Sequence, residues 1–235
     1  MIFRIFSLAA VLAAFGGTAS AQSDSPVTYT LAPVMEGGAL VALAVDIRFR
    51  GDADGETTLL LPGEWAGTDS LWRQVEDLRV NGAASVREVG GGTRVIIHRA
   101  GARLAVRYRV RSGYAADPGF GYHKALPIIL PGWFFFHGEG VFPMIVGREQ
   151  APARFAWRGF PAGWTLASDL DHLAGARPGT VTDVVESAAM GGPDLTVVER
   201  QVGGAPLRVA MRGAWDFTAE TFADALAEVV RAENA

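Results

Sequence analysis

The stretch Val41-Ala-Leu-Ala-Val-Asp-Ile-Arg-Phe49 decides the fold class. Val41, Leu43, Val45, Ile47 and Phe49 alternate with Ala42, Ala44, Asp46 and Arg48. Successive side chains of a strand point to opposite faces, so this segment reads as a strand with one apolar and one wetter face. Leu104, Val106, Tyr108 and Val110 alternate with Ala105, Arg107 and Arg109 in the same way. Thr57 to Leu61, Arg94 to His98, Ala153 to Trp157 and Leu207 to Met211 are shorter versions. Turn residues punctuate them: Gly51-Asp-Ala-Asp-Gly55, Asn81-Gly82, Gly90-Gly-Gly92 and Gly191-Gly-Pro193. Asn81-Gly82, between Leu78-Arg-Val80 and Ser85 to Val89, predicts a tight hairpin. Helix is scarce here apart from a turn around Trp65 to Trp72. Strands and turns at this spacing predict an antiparallel sandwich.

The carboxyl-terminal end changes character. Thr218 is a candidate N-cap and Glu220 sits where a negative charge favours the helix dipole. Phe222, Leu226, Val229 and Val230 recur at helical spacing and predict one amphipathic helix. The expected fold class is mainly β: an antiparallel β-sandwich with a C-terminal strand-plus-α-helix appendage.

At the other end, Arg4, the apolar run Ile5 to Phe15 and the small-residue site Ala19-Ser-Ala21 read as a secretory signal peptide over residues 1–21. A periplasmic or secreted location is expected, with no stable membrane insertion once the leader is cut. The chain has no cysteine, which excludes a disulfide scaffold and a thiolate metal site. Its stability must therefore rest on an apolar core. The formal charge is -4, and Lys124 is the only lysine. No basic cluster stands out along the sequence, which argues against nucleic acid as a partner.

Leu130-Pro-Gly-Trp-Phe-Phe-Phe-His-Gly-Glu-Gly-Val-Phe-Pro143 places five aromatic rings in fourteen residues. Trp133 to Phe136 cannot all be hidden on one face of a strand. Either protein covers both faces, or one face is an apolar patch meant for a partner. Burying one such ring removes about 150–250 Å² from water, an upper estimate of about 4–6 kcal/mol each. That favours core or an interdomain contact over a substrate shelf. Trp133, Phe136, His137 and Glu139 are the candidate binding surface. Gly138 and Gly140 would let the backbone approach a ligand closely. His137 and Glu139 alone are two ligands without a third, so they read better as a turn than as a zinc site.

Asp52-Ala-Asp-Gly-Glu56 has part of a calcium-loop pattern but lacks the distal ligands, and reads as a solvated turn. Ser168-Asp-Leu-Asp-His172 brings Ser, Asp and His together in sequence without the strained turn that activates a serine nucleophile. Gly90-Gly-Gly92 lacks the helix and Lys of a phosphate loop.

Pro62-Gly-Glu-Trp65, Leu130 to Pro143, Phe160-Pro-Ala-Gly-Trp-Thr-Leu-Ala-Ser168, and Leu207 to Trp215 with its helix occur in that order. In order and spacing they resemble the amino-terminal half of the PDZ-bearing glycyl aminopeptidases, which are zinc metallopeptidases. The resemblance runs from about Val27 to the end. It implies a β-sandwich over residues 22–190, and strands plus an amphipathic helix over 191–235 like the start of a catalytic domain. In that family the catalytic domain carries H-E-x-x-H, two imidazoles one helical turn apart with Glu as general base. Here His98, His123, His137 and His172 have no partner at that spacing. No catalytic, cofactor-binding or metal residue is carried over, and zinc is expected only if a separate catalytic domain exists. The expectation is an exported non-catalytic module that binds a peptide or protein. One alternative is the amino-terminal fragment of an active zinc aminopeptidase whose catalytic domain is truncated or separately encoded. Another is a carbohydrate-binding sandwich using Trp133 or Trp65.

Overall fold

The computed structural model describes residues 25–119, 125–174 and 179–233. The expected leader, His123 and Lys124 lie outside the described residues. Seven strands come first: β1 (Val27–Glu36), β2 (Ala39–Arg50), β3 (Glu56–Leu60), β4 (Val75–Asn81), β5 (Ala83–Gly90), β6 (Thr93–His98) and β7 (Arg103–Val110). Next are β8 (Ile128–Leu130), β9 (Trp133–His137), β10 (Met144–Ile145), β11 (Pro152–Trp157) and β12 (Thr165–Ser168). Then β13 (Gly179–Thr180) leads into a short helix, α1 (Val181–Val185), followed by β14 (Ala188–Gly192). A hairpin of β15 (Leu195–Val202) and β16 (Ala205–Arg212) precedes the long helix α2 (Ala219–Glu233).

The strands form a six-stranded sheet in the order β13-β11-β1-β2-β7-β4 and two four-stranded sheets, β10-β3-β6-β5 and β12-β14-β9-β8. The β15-β16 hairpin is a two-stranded sheet of its own. Among the described residues β1 and β11 pair in parallel, and the other ladders are antiparallel. The predicted mainly β sandwich with a strand-plus-helix appendage is the observed fold.

Alternation builds the core. Leu43, Val45, Ile47 and Phe49 on β2 and Leu104, Val106, Tyr108 and Val110 on β7 are all buried. A register shift between Val34 and Met35 on β1 changes the phase at the start of β2. Leu40 and Ala42 are buried there, and Val41 is only half-buried. The same core takes Leu59 from β3, Ile96 from β6, and Phe134 and Phe136 from β9. The Tyr108 hydroxyl donates to the Val141 carbonyl at 2.8 Å, so the one polar atom on that buried ring is satisfied.

Asn81-Gly82 does not make the predicted hairpin. β4 pairs with β7 whereas β5 pairs with β6, so the turn carries the chain from one sheet to another. Gly82 has φ 87°, and a Cβ there would lie 2.2 Å from the Arg103 carbonyl oxygen. Turn residues fix a reversal of direction; which neighbour each strand then takes is decided by packing. The turn expected around Trp65 to Trp72 is a bridge between Trp65 and Thr68 followed by a 3-10 turn, Leu71–Gln74.

The α2 helix forms where its spacing predicted, and Thr218 Oγ1 accepts from the Thr221 amide at 3.1 Å as its cap. Its buried face is displaced from the expected stripe. Ala223 is buried against Val198 and Val209 of the hairpin and Ala227 is buried as well, while Phe222 is 41% and Val229 53% exposed. Small side chains let the helix lie close on the strands, with Leu226 packed beside them, and Phe222 and Val229 are turned outward.

Ala53, Asp54 and Glu56 of the Asp52 turn are exposed as expected, but Asp52 itself is tied inward. Arg148, itself 3% exposed, reaches the Asp52 carboxylate at 2.5 Å. Thr57 Oγ1 lies 3.0 Å from the same carboxylate and 2.9 Å from His98 Nε2. The Asp52 oxygens are committed to this network, which accounts for the acidic residue without a cation.

Candidate binding cleft

The β9 strand divides the aromatic run by strict alternation. Phe134 is fully buried and Phe136 is 1% exposed; both enter the core. Trp133, Phe135 and His137 are half-buried on the opposite face. The Phe134 ring lies 5.6–6.3 Å from the rings of Phe136, Trp157, Phe160 and Trp164. Phe136 therefore leaves the candidate surface: its position two residues from Phe134 gives it the core face.

The second face of the β12-β14-β9-β8 sheet is roofed by the hairpin. Pro206, Arg208, Ala210 and Arg212 alternate along β16, and Val197 pairs with Ala210. Arg208 Nη1 reaches across to Asp171 Oδ2 at 2.7 Å and to the Ser168 carbonyl at 3.2 Å. Arg212 lies over the Trp133 ring with its guanidinium carbon 4.0 Å from the centroid, and also contacts Asp194 at 3.1 Å. These two arginines hold the hairpin over the sheet. Between them runs a cleft in two lobes that share Phe135, Met190 and Ala210. One lobe, of about 710 Å³, is walled by Ala167, Val197 and Pro206 and rimmed by Asp169, Asp171 and His172. The other, of about 650 Å³, opens toward Trp133, Trp215, Phe217 and Phe222. The rings of Trp215, Phe217 and Phe222 lie 5.5 and 5.6 Å apart in succession, and each residue is more than two-fifths exposed.

The other sequence candidates fall outside this cleft. His137 packs its ring on Trp65 and Phe135, at 5.9 and 5.1 Å. Glu139 sits on the 3-10 turn Gly138–Gly140. Its Oε2 is shielded from solvent and has no hydrogen-bond partner among the described residues. Burial pushes the Glu139 carboxyl up, and the nearby Glu186 and Asp169 charges add to this. A hydrogen bond from its own backbone and the neighbouring His137 oppose the rise without cancelling it. Gly138 does admit a close approach, but by the chain itself. Its amide donates to the Ser187 carbonyl at 2.6 Å, and a Cβ would meet the Val184 and Val185 carbonyl oxygens at 2.5 Å. No room is left there for a ligand.

Ser168 and His172 do not meet. Ser168 Oγ donates to the Ala188 carbonyl at 2.7 Å and accepts from the Leu170 amide, while His172 Nδ1 turns to the Asp169 carbonyl. This is a local turn fastening β12 to β14. Among the described residues, no three His, Cys, Asp or Glu side chains converge to hold a metal ion. The zinc of the resembled peptidases has no donor set in them. One face of the Trp133 ring is covered by Arg212. No helix of the described residues is long and apolar enough to cross a membrane.

Phe135, Met190, Ala210 and Arg208 escaped the sequence reading. Phe135 carries the same alternation signal as its neighbours, but the cleft needs β14 and β16, which are distant in sequence and neutral in composition. No protein-family model and no curated protein matches this chain. Among solved structures, the chain is similar to the aminopeptidase N family protein from Idiomarina loihiensis. They share 15% identity and a TM-score of 0.67, over 87% of this chain and 35% of that one. A looser likeness, with 20% identity and a TM-score of 0.42, is to an M1 zinc metallopeptidase from Deinococcus radiodurans, over 88% of this chain and 52% of that one. The chain thus has the fold of a stretch of about a third of the Idiomarina protein, a likeness of architecture at this identity.

Proposed function

We propose that this chain is a non-catalytic module of an exported protein that takes a peptide or a protein segment in the cleft between sheet and hairpin. The observation that carries the reading is the two-lobed cleft centred on Phe135 and Met190, apolar on its floor and bordered by Asp169, Asp171 and Arg208. Concave apolar sites with a few convergent polar groups are where ligands gain most from leaving water. The test is fluorescence anisotropy with labelled short peptides bearing apolar side chains. Binding to the parent protein and its loss in Phe135→Arg support the reading. Peptide binding undiminished in Phe135→Arg, or none to the parent, removes it. Stoichiometric zinc together with turnover of Gly- or Ala-starting peptides by the pure chain would overturn the non-catalytic part.

A second reading has its own support. Trp215, Phe217, Phe222 and Val229 are exposed at the carboxyl-terminal end, and the chain spans 35% of the Idiomarina protein. An apolar surface of this kind suits contact with a further domain. On this reading the module belongs to a zinc aminopeptidase, with zinc and H-E-x-x-H supplied by a separate domain. The check is the coding sequence downstream. A frame there encoding H-E-x-x-H favours it, and its absence from that region and from a co-purifying chain removes it.

A further inference from the structure

The outer face of the six-stranded sheet carries a feature that no linear stretch announces. Residues that alternate with the buried positions of β2 and β7 are exposed there, and many are arginine. Arg48, Arg79, Arg107, Arg109 and Arg158 line a depression of about 500 Å³ together with Asp46 and Asp77, leaving three positive charges in excess. A second depression of about 490 Å³ shares Thr28, Arg48 and Arg107 with it, adds Arg50 and Arg103, and has no acidic residue in its lining. The two form one basic track across the sheet of a chain whose formal charge is -4.

Part of this charge is internally matched. Arg48 and Arg107 both bind Asp46, at 2.7 and 2.6 Å. Burial tends to raise the Asp46 carboxyl, but those hydrogen bonds and charges prevail and hold it below the ordinary aspartate range. Arg79, Arg103 and Arg158 differ: among the described residues their side chains have neither an ion pair nor a hydrogen bond. Their guanidinium groups present unused, planar, two-pronged donors, the geometry that fits carboxylate and phosphate.

The shape narrows the occupant. Thr28, Thr30, Ala32 and Ala44 are the small side chains of the track's floor on β1 and β2, and the Asp46–Arg48 pair rises from β2 beside them. Arg158 follows β11 on one side, and Arg107, Arg109 and Arg79 stand on β7 and β4 on the other. Three strand spacings separate β11 from β7, about 14 Å, which leaves room for one extended chain with its side chains. A flat bilayer does not reach the floor of so narrow a lane. The rings at its margin are Tyr108 and Phe49, both buried in the core, so the track has no platform on which bases or sugars would stack.

We propose that this track is a docking surface for an acidic polypeptide segment, whose carboxylates meet Arg79, Arg103 and Arg158. It shares no residue with the cleft, so the two assignments stand or fall separately. The test is anisotropy of a fluorescein-labelled oligoglutamate peptide with the full chain at low salt. Binding should weaken as salt approaches about 0.15 M, where the screening length falls to about 8 Å. It should fall about tenfold or more in Arg79→Glu/Arg158→Glu, because the attraction reverses at two positions. Thermal unfolding of that variant should match the parent; if it does not fold, Arg79→Gln/Arg158→Gln takes its place with a smaller loss. No binding to the parent, or binding indifferent to both variants, overturns the proposal. So does tighter binding of heparin or of phosphatidylglycerol vesicles that the same variants abolish, or salt-reversible dimerisation through this face.

Discussion

Replacing Phe134 and Phe135 by alanine, one at a time, measures how β9 divides the aromatic run. Phe134 is fully buried and touches four aromatic rings. Phe→Ala in a core costs about 3–5 kcal/mol, the transfer of the ring plus the cavity left behind. The upper end is expected, because stiff aromatic neighbours collapse poorly into the space and each lost ring pair adds about 0.5–1.5 kcal/mol. Against a typical total of about 5–15 kcal/mol, this is a third or more of the molecule's stability. Phe135 is half-exposed at the cleft, so its truncation removes less buried area and should cost below about 2 kcal/mol. Urea unfolding followed by tryptophan fluorescence reads both, since Trp157 and Trp164 lie beside Phe134. If Phe134→Ala does not fold, Phe134→Leu retains most of the volume and keeps the comparison. Equal costs at the two positions, or a larger cost at Phe135, would refute the assignment of faces.

Gly191 pairs with Phe134 across β14 and β9, and a Cβ there would lie 2.6 Å from both the Phe134 ring and Leu166. Gly191→Ala should therefore cost about 1–3 kcal/mol by overpacking, and less in a Phe134→Leu background; a double-mutant cycle in urea with no coupling would contradict this. Glu139 has a folded-state carboxyl pushed above its ordinary range, so the folded state binds its proton more tightly than the unfolded chain. Stability linked to it is full below the unfolded value, about 4.3, and is lost as pH rises through the folded value. Glu139→Gln should accordingly raise the melting temperature at neutral pH and leave it unchanged in acid; a gain in acid alone would reverse the sign of this argument.

Much of the sandwich was legible in the sequence. Period two along β2 and β7 identified the strands and their buried faces, because alternation is a property of one strand and needs no partner. It also assigns Phe134 and Phe136 to one face, though which face is core becomes evident only when the six-stranded sheet lies against it. The helix cap at Thr218 was readable for the same local reason. The packing of α2 was legible only in part: of the stripe Phe222, Leu226, Val229 and Val230, Leu226 packs on the hairpin, but Phe222 and Val229 are exposed and Ala223 and Ala227 are the buried residues. The Asn81-Gly82 turn had the right chemistry and the wrong partners, since strand pairing is a contest among distant segments.

What the sequence determined by itself was the class of fold, because backbone geometry converts residue spacing directly into faces. The tertiary structure decided where function can reside. It removed Phe136 from the surface and closed the space beside Gly138 with the chain's own carbonyls. It brought Phe135, Met190 and Ala210 into one cleft from three strands. It also gathered arginines dispersed from Arg48 to Arg158 onto one face, although no basic cluster exists along the chain. The reason in each case is that a binding surface is made of neighbours in space. Sheet order, which sets those neighbours, is fixed by the packing of the whole core.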